Sequence, residues 1–466
     1  MPHTPDQVLT AAQMRDAEQA LIAKGVSVDE LMQRAGRGAA EWIWRISGGR
    51  AVTVLCGPGN NGGDGYVIAE AIRQRGGSVR VIAASEPKTA AARTARSLYA
   101  GEVLGRDADA TGDVLVDCLF GTGLTRPLEA YDLALLNRLA AEHPRRVAVD
   151  LPSGVHADNG MTLNDGLPDW HLTLALGAWK PAHFLLPAAR TMGALRLVPI
   201  GVDVLPEAGR MIGRPRLAAP ACDAHKYTRG LLGVVAGAMP GAAVLAARAA
   251  QGAGAGYVKL LGEGQGGPAD LVIDNQPLAE VLTDSRFAAL LIGPGLGRDA
   301  TARERLAIAL SEPIPAVVDA DALVLLAPRH LAERKASLIA TPHDGELFAL
   351  ERAFGLDGSG SKVVRAEALA RAAGMVVVAK GADSLVAAPD GRVAYAPRAT
   401  SWLSTAGTGD VLAGAIASRL ANGADPFAAA CQGVWLHGEA ARRTPVPFTA
   451  GQLAERIATA FAEVLS

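Results

Sequence analysis

The sequence predicts an α/β protein of two domains, each built around a mainly parallel β-sheet. Short aliphatic runs alternate with helical stretches along most of the 466 residues, and this alternation is typical of parallel strands joined by crossover helices. The pattern breaks over residues 203–224, which are proline-rich and aperiodic, and then begins again. We therefore place one domain at residues 1–212 and the other at residues 213–466.

The N-terminal part of the chain predicts two helices. Thr10 with Gln13, and Ser27 with Glu30, have the spacing of a capping box, in which the two side chains close the start of a helix. Apolar residues at helical spacing then form one face of the second helix. Trp44 lies off that face, so we expect either a surface aromatic or part of a subunit contact.

The strands that follow are short and apolar. In the first domain we predict strands at residues 51–56, 78–84, 113–120, 146–151 and 195–200. In the second domain we predict strands at residues 231–238, 257–261, 289–293, 315–319, 337–341 and 375–380. Because the carboxyl ends of parallel strands line the ligand crevice, the residues after each strand are the candidates for a site.

Composition argues against several classes of function. The formal net charge of -2 indicates no basic surface for nucleic acid or an anionic membrane. The sequence has no run of about 18 uncharged apolar residues, and its first residues lack the pattern of a secretory signal, so we expect a cytoplasmic protein. We also expect a homo-oligomer that acts on small molecules. The scattered cysteines, without a C-x-x-C pair, argue against a zinc site or a disulfide framework. They are Cys56, Cys118, Cys222 and Cys431.

A glycine-rich loop follows the first predicted strand. The segment G-P-G-N-N-G-G-D-G at residues 57–65 contains the G-x-G-x-x-G spacing of dinucleotide-binding folds, which is a weak signal by itself. No G-K-[ST] follows, so the segment is not a Walker A loop. A glycine backbone lets N–H groups approach an anion, whereas a tight turn would not need so many polar residues. We favour a binding loop over a plain turn.

Two acidic residues end later strands of the same domain. Asp117 precedes G-T-G-L-T-R-P at residues 121–127, and Asp150 precedes L-P-S-G. Either acid alone is compatible with a helix cap. Together with Asn61 they would meet at one edge of the sheet, and we predict a convergent polar site there.

These motifs resemble the NAD(P)H-hydrate epimerase family. The resemblance rests on G-P-G-N-N-G-G-D-G, D-C-L-F-G-T-G-L and D-L-P-S-G, and it covers the N-terminal half. It implies a Rossmann-like domain that interconverts the R and S epimers of hydrated NADH or NADPH, with Asp150 as the acid–base residue. It also implies a potassium site formed by oxygens of Asn61, Asp117 and Ser153, and oxygen ligands suit a hard cation. The hydrate-binding residues that it implies are Asn60, Asn61, Gly62, Gly63, Asp64, Gly121, Thr122, Gly123, Leu124, Thr125, Arg126, Pro127 and Asp150.

The second domain carries a glycine motif near its end, A-G-T-G-D-V-L-A-G at residues 406–414. The start of a helix attracts phosphate through its unpaired N–H groups, yet Asp410 places a negative charge there. The motif resembles the ribokinase-like superfamily. That resemblance implies that the N–H groups stabilise a phosphoryl group while Asp410 takes the proton of the acceptor hydroxyl.

Within that superfamily the domain resembles the NAD(P)H-hydrate dehydratases. The motifs H-K-Y-T-R-G, G-P-G-L-G, T-P-H-D-G-E, K-G-A-D-S and A-G-T-G-D-V-L-A-G carry the resemblance, which spans nearly all of residues 225–440. It implies an S-specific dehydratase that uses ADP and Mg²⁺, phosphorylates the hydroxyl of the hydrate and then expels phosphate, leaving AMP. The ADP-binding residues that it implies are Lys380, Gly381, Ala382, Asp383, Ser384 and Gly409. The residues implied to face the hydrate are Gly295, His343 and Asp410.

Simpler roles stay open for several of these residues. His343 could be an ordinary loop histidine and Lys380 a solvated lysine at a strand end, although Gly381 beside it favours a phosphate contact. Asp319 and Asp321 could cap the helix that follows them, or support a metal.

Three features depart from the dehydratase pattern. Tyr227 stands where glycine is usual, Asp344 stands where proline is usual, and residues 399–404 read A-T-S-W-L-S in place of a run with proline and glycine. The last two flank the implied site, so they bear on affinity and nucleotide choice more than on the class of reaction.

The sequence thus predicts a bifunctional repair enzyme in which an isomerase is joined to a lyase. Joining them is sensible if the dehydratase accepts one epimer, because the other would otherwise accumulate. One alternative is a ribokinase-like small-molecule kinase with a regulatory N-terminal domain. Another is a non-catalytic nucleotide-sensing scaffold, against which Asp410 argues, since phosphate binding alone would be stronger without that acid.

Overall fold

The computed structural model describes residues 6–262 and 267–465. It divides the chain into two compact units, unit 1 at Met1–Gly209 and unit 2 at Arg210–Ser466. The division falls three residues before the end of the first predicted domain. Both units have the predicted α/β class with parallel strands.

Unit 1 is a parallel sheet with helices between its strands. Its helices are α1 Ala11–Ala23, α2 Val28–Ser47, α3 Asn60–Gln74, α4 Ala90–Leu98 and α5 Ala130–Glu142. Its strands are β1 Gln7–Val8, β2 Val52–Cys56, β3 Val79–Ala83, β4 Val103–Gly105, β5 Val114–Cys118, β6 Arg145–Val149, β7 Leu172–Leu176 and β8 Ala194–Val198. The sheet order is β4-β3-β2-β5-β6-β7-β8, and all neighbouring strands in it are parallel. The chain order reverses direction between β2 and β5, so a ligand crevice is expected at their carboxyl ends.

The two N-terminal helices begin where the capping residues predict. The Thr10 hydroxyl accepts a hydrogen bond from the backbone N–H of Gln13 at 3.2 Å, and the Gln13 side chain accepts from the Thr10 N–H. Ser27 caps α2 in the same way, but the carboxylate of Glu30 pairs with Arg34 rather than closing a capping box.

The interpretation of Trp44 as a surface aromatic is wrong. Its ring is half-buried and packs against the core of unit 1, with the guanidinium of Arg75 over it at 6.0 Å. A large amphipathic side chain can cover apolar surface from the edge of a helix face, which is why helical spacing alone missed it.

Helix α3 begins inside the glycine motif, at Asn60, rather than after it. A Cβ on Gly57 would overlap the carbonyl oxygen of Leu119, and a Cβ on Gly62 would overlap that of Gly57. Glycine at both positions therefore lets the first turn of α3 lie directly against the carboxyl ends of β2 and β5.

Unit 2 contains a larger mixed sheet. Its helices are α6 Pro240–Gly252, α7 Leu278–Val281, α8 Ala300–Ser311, α9 Asp321–Leu325, α10 Asp344–Ala353, α11 Lys362–Ala373, α12 Thr408–Ala421, α13 Pro426–Arg443 and α14 Ala450–Ala462. Its strands are β9 Gly209–Met211, β10 Leu231–Val235, β11 Tyr257–Leu261, β12 Val272–Asp274, β13 Phe287–Ile292, β14 Ala316–Val318, β15 Leu338–Ala340, β16 Val376–Ala379, β17 Leu385–Ala387 and β18 Val393–Tyr395.

The strand order in unit 2 is β9-β18-β17-β16-β15-β14-β13-β10-β11-β12. The strands from β16 to β12 are parallel, whereas β16, β17 and β18 pair antiparallel. The K-G-A-D-S segment therefore closes a β-hairpin between β16 and β17, and does not lead into a helix as the other glycine loops do.

Helices α6, α12 and α13 pack closely through alanine and glycine. A Cβ on Gly414 of α12 would overlap the backbone carbonyl of Ala246 in α6, and a Cβ on Gly433 of α13 would overlap the side chain of Ile416. This packing holds the N-terminus of α12 at a fixed place above the sheet. In the described part of the chain, no helix combines the length and apolar character that a membrane crossing requires.

Candidate active sites

Unit 1 gathers polar groups at the carboxyl ends of β2, β5 and β6. Gly121 lies in the loop after β5, between Asn61 and Asp150. A Cβ on Gly121 would be 2.8 Å from Asp150 Oδ2 and 3.3 Å from Asn61 Cγ. The structure thus brings Asn61, Gly121 and Asp150 together, at the point where the strand order reverses.

Asp150 is held by several contacts in a strained conformation. Its backbone has φ +66°, which is uncommon for a residue with a side chain and costs roughly 1–3 kcal/mol. Oδ2 accepts hydrogen bonds from the backbone N–H of Thr122 at 2.8 Å and from the Thr122 hydroxyl. Oδ1 accepts from Lys180 Nζ at 2.6 Å. Strain that is held in place by so many partners is typical of functional sites.

Lys180 is a site residue that the sequence reasoning missed. It is 1% exposed, and its ammonium donates to Asp150 Oδ1 and to the carbonyl of Leu176 at 2.6 Å. The buried His183 contacts the backbone of both Asp150 and Lys180. Its Nε2 donates to the Asp150 carbonyl at 2.9 Å, and its Nδ1 accepts from the Lys180 N–H at 2.9 Å. The alternating leucines of β7 would have placed Lys180 near the same edge of the sheet.

The pKa values of two carboxyl groups at this site are shifted in opposite directions. Burial alone would raise the pKa of Asp150, but the Lys180 ammonium and hydrogen bonds from Lys180 and Thr122 outweigh it and lower that pKa. Burial, with the charges of Asp150 and Glu18, raises the pKa of Asp64 well above its usual value. These shifts favour the charged form of Asp150 and the neutral form of Asp64, a division that serves acid–base chemistry.

Asn61, Asp117 and Ser153, at the carboxyl ends of β2, β5 and β6, carry oxygen atoms that are candidate ligands for a cation. Asn61 Oδ1 is buried and has no hydrogen-bond partner among the described residues, while its Nδ2 donates to the Val149 carbonyl at 3.3 Å. The Ser153 hydroxyl donates to Asp117 Oδ1 at 2.7 Å. Burial raises the pKa of Asp117 to about 6. Amide, carboxylate and hydroxyl oxygens are the kinds of ligand that suit a hard cation.

The other predicted site residues of unit 1 differ in their exposure to solvent. Gly62, Gly63 and Asp64 are buried in the first turn of α3. The loop after β5 opens to solvent, where Gly123, Thr125, Arg126 and Pro127 are exposed and Asn60, Thr122 and Leu124 are either exposed or half-buried.

In unit 2, the start of α12 brings a carboxylate and a lysine together. Gly407 precedes α12 with φ +89°, and Asp410 lies in the first turn. A Cβ on Gly409 would be 3.6 Å from Lys380 Nζ, so the ammonium faces this turn. Burial and the charges of Asp319 and Asp321 raise the pKa of Asp410 to about 6, although Lys380 acts against them.

Lys380 is not a solvated strand-end lysine. Its Nζ lies 2.6 Å from Asp319 Oδ1 and 3.9 Å from Glu346 Oε2, and Asp319 also accepts from the Thr341 hydroxyl at 2.6 Å. Asp319 therefore fixes the direction in which the ammonium points.

The hypothesis that Asp319 or Asp321 caps the next helix is wrong. Helix α9 has no side-chain cap, and Ala320 between the two acids has φ +47°. Asp321 accepts from the Gly297 N–H at 3.0 Å and pairs with Arg298 at 2.8 Å. The acid thus holds the end of the G-P-G-L-G loop.

Gly295 and His343 flank the same region. A Cβ on Gly295 would overlap the carbonyl of Met239, and its φ of +64° also favours glycine. His343 caps α10, because its Nδ1 accepts from the N–H groups of Gly345 at 3.0 Å and Glu346 at 3.3 Å. The side chain is 62% exposed, and its Nε2 lies 3.4 Å from Glu346 Oε1.

His437 is a second residue without a sequence signal. It is buried on α13, and its Nε2 donates to the Thr408 carbonyl at 2.9 Å. Burial lowers the pKa of His437 to about 4, so the ring is neutral and this donation fixes its tautomer. Its contact holds the first turn of α12, where Asp410 lies.

Comparisons with known proteins match both units. Residues 232–462 match a family described as NAD(P)H-hydrate dehydratase, and residues 28–182 match a family described as YjeF-related protein N-terminus. The bifunctional NAD(P)H-hydrate repair enzyme Nnr of Mycobacterium leprae is 33% identical, with coverage of 97% of this chain and 98% of its own. That of Gloeobacter violaceus is 35% identical, with 92% of each chain covered. A solved ADP/ATP-dependent NAD(P)H-hydrate dehydratase from Bacillus subtilis aligns with 53% of this chain and 95% of its own at 26% identity and a TM-score of 0.46.

Proposed function

Because this chain belongs to the family of bifunctional NAD(P)H-hydrate repair enzymes, we propose a set of its own residues for each of the two reactions. Unit 1 is the NAD(P)H-hydrate epimerase and unit 2 the NAD(P)H-hydrate dehydratase. A kinase with a regulatory N-terminal domain is not favoured.

For the epimerase we propose that Asp150 is the base and Asp64 the proton donor. Inversion at the hydroxyl-bearing carbon requires a bond there to break and re-form, and both steps move a proton. The observation that carries this assignment is the buried contact of 2.6 Å between Lys180 and Asp150, which keeps that carboxylate ionised. Residues 60–64 and 121–127 would hold the hydrate between them.

We propose that K⁺ binds unit 1 through Asn61 Oδ1, the Asp117 carboxylate and the Ser153 hydroxyl. Among the described residues, no group of three histidine, cysteine or acidic side chains could hold a metal, but this oxygen set needs only one acid. Support comes from the partnerless oxygen of Asn61. The ion would fix the loops around Asp150 without taking part in the proton transfers.

For the dehydratase we propose that Asp410 accepts the hydroxyl proton of the S hydrate. The hydroxyl oxygen attacks the terminal phosphorus of ADP and AMP leaves. Phosphate then departs with the electrons of its bond to the ring carbon, the adjacent ring carbon loses a proton to solvent, and the electrons of that C–H bond form the double bond. Phosphate is a far better leaving group than hydroxide. Gly409 and the other N–H groups at the start of α12 would stabilise the phosphoryl group, and Lys380 faces them from the other side.

Residues 380–384 and Gly409 would bind ADP, and Gly295 and His343 would face the hydrate. We propose that Mg²⁺ is held mainly by the phosphates of ADP. Asp319 and Asp321 are already engaged, by Lys380 and by the G-P-G-L-G loop, and Mg²⁺ at phosphates typically needs only one or two protein carboxylates.

The test is recovery of the dihydronicotinamide absorbance from mixed-epimer NADH hydrate with ADP and Mg²⁺. The intact protein is expected to restore the band fully and to release free phosphate, whereas a kinase would accumulate a phosphorylated compound.

The variant Asp150→Asn should stop recovery at the share of the S epimer. Asparagine is a suitable replacement because it tolerates the positive φ of this position. Asp410→Asn should abolish recovery while ADP still binds. Full recovery by Asp150→Asn, under conditions of slow spontaneous epimerisation, would refute the first assignment.

We also propose that the protein is a cytoplasmic homo-oligomer. All four cysteines are free thiols, and Cys222 is exposed, which suits a reducing compartment. Leu98 is 59% exposed at the rim of a groove between α2, α3 and α4, which suits a subunit contact. Light scattering of the purified protein tests the oligomeric state, and a strictly monomeric mass would contradict it.

A further inference from the structure

The nucleotide-binding loop at residues 380–384 is held in shape by its own hydrogen bonds. The Ser384 hydroxyl accepts from the Gly381 N–H at 3.0 Å and donates to the Gly381 carbonyl at 2.7 Å. The Lys380 N–H donates to the Pro342 carbonyl at 2.7 Å. These bonds tie the two ends of the loop but do not account for the position of Asp383 between them.

Lys362, which belongs to none of the sequence motifs, joins the first and fourth residues of this loop. Its Nζ donates to Asp383 Oδ1 at 2.6 Å and to the Lys380 carbonyl at 3.0 Å. A Cβ on Gly381 would lie 2.5 Å from Nζ and 2.7 Å from Asp383 Oδ1. The loop can therefore close around the ammonium only with glycine at this position.

The ammonium comes from a firmly placed helix. Lys362 is the first residue of α11, and Ser361 caps that helix. One turn further on, Arg365 makes two hydrogen bonds with the buried Glu351 of α10, at 2.8 and 2.7 Å. Helices α10 and α11 are thus clamped together, and Nζ reaches the loop from a fixed base.

The charge of Lys362 matters as much as its position. Asp383 is buried in a loop that is proposed to receive the phosphates of ADP, and its carboxylate would repel them. Asp344, the acid at the position where the family usually has proline, lies 3.6 Å from the same Nζ but is 72% exposed, so solvent screens it. The main partner of Lys362 is therefore Asp383.

We propose that Lys362 is the positioning residue of the nucleotide-binding loop, which it holds closed while it compensates the charge of Asp383. The inference rests on the proposed binding of ADP by residues 380–384. The polar contacts of Lys362 are with Asp383, the Lys380 carbonyl and Asp344. None of these is a residue proposed to face the hydrate or to accept its proton. Loss of Lys362 is therefore expected to weaken ADP binding and to leave the affinity for the hydrate unchanged.

The test compares Lys362→Met, Lys362→Arg and the exposed control Lys335→Met in the full chain. We expect Lys362→Met to raise the KM for ADP by about tenfold or more, since one partner of a buried charge pair is removed, with much smaller changes in kcat and in the KM for the hydrate. Arginine keeps the charge and should retain most of the affinity. Adding Asp383→Asn to Lys362→Met should restore part of it, because the repelling carboxylate is gone.

An unchanged KM for ADP in Lys362→Met, or an equal rise in both KM values, would overturn the inference. If Lys362→Met does not fold, the double variant decides: it should bind ADP more weakly than the natural protein in calorimetry, because the bridge to the Lys380 carbonyl is lost, and equal affinity would overturn the proposal. If the natural protein binds no ADP, the proposed function fails as well, so the two failures are distinguishable.

Discussion

Asp150, the proposed base of unit 1, lies in surroundings that are almost closed to water. An isolated carboxylate there would take up a proton, because burial disfavours the charged form. The Lys180 ammonium reverses that preference, and His183 fixes the backbone of both residues. The Asp150 carboxylate is thus ionised before the substrate binds. Its ionisation depends on Lys180, which lies 30 residues further along the chain.

Replacing Lys180 with methionine should abolish most of the epimerase activity. Asp150 would lose its ion pair inside the protein, which costs roughly 3–5 kcal/mol, and would take up a proton at neutral pH. The S-specific dehydratase activity should persist, measured with pure S hydrate and normalised by thermal unfolding. Lys24→Met, which breaks an exposed pair with Asp203, is the control and should change neither activity. Undiminished epimerisation by Lys180→Met would contradict the assigned role.

The dehydratase should have an acidic limb in its pH profile near pH 6. As the proposed base, Asp410 must be ionised, and burial with neighbouring acids raises its pKa to about 6. The kcat/KM for S hydrate should therefore rise from pH 5 to pH 7 and level off above, because this parameter reports the free enzyme. A flat profile, or one that falls over this range, would argue against Asp410 as the base.

The sequence indicated the residues of the site that lie in or beside glycine loops, and missed those that do not. Asn61, Asp117, Asp150 and Asp410 follow strands or lie next to glycines, so position along the chain indicated them. Lys180, His183 and His437 act through partners that lie about 30 residues away along the chain. No local pattern distinguishes such a buried lysine or histidine from an ordinary one.

At the scale of elements, the predicted strands were those with long apolar runs. Each of the eleven predicted strand segments overlaps a strand of the structure. Strands β4, β9, β12, β17 and β18, of three residues each, and the two-residue β1 were missed because so short a run has no periodicity to detect. Strand β7 is longer, but the described chain between β6 and β7 contains no helix. The alternation of strand and helix that predicted the other strands was therefore absent.

Close helix packing makes Gly414 a sensitive position. Gly414→Ala should push α12 away from α6, because the added Cβ would overlap the Ala246 carbonyl, and overpacking of this kind costs about 1–3 kcal/mol. Dehydratase activity should fall, since Asp410 moves with α12, while epimerase activity should not. Gly438→Ala in α13 is the matched control: its Cβ would meet only the Ala399 side chain at 4.0 Å, so stability should rise by about 0.5–1 kcal/mol. Equal melting temperatures for the two variants would contradict this account.

At the scale of the whole molecule, each unit has a core and a site of its own. The core residues of unit 1 come from the elements up to residue 209, and those of unit 2 from the elements after it. Each site is built from the strand ends of one sheet. We therefore infer that the two reactions are chemically independent and share only the hydrate.

A mixture of Asp150→Asn and Asp410→Asn proteins should restore all of the hydrate. Each variant keeps one working unit, and the epimer formed by one protein can diffuse to the other. The time course should slow as the mixture is diluted, measured by the absorbance of the reduced cofactor. Recovery limited to the S share in the mixture would show that the two units must belong to one chain.

In the proposed assignment, the hairpin between β16 and β17 binds the phosphate donor, whereas the chemistry at the hydroxyl takes place at the start of α12. A change of length in this turn shifts no crossover helix and leaves the Asp410 segment where it is. A few substitutions at this edge of the sheet can therefore change which phosphate donor binds, while the segment that carries Asp410 stays the same.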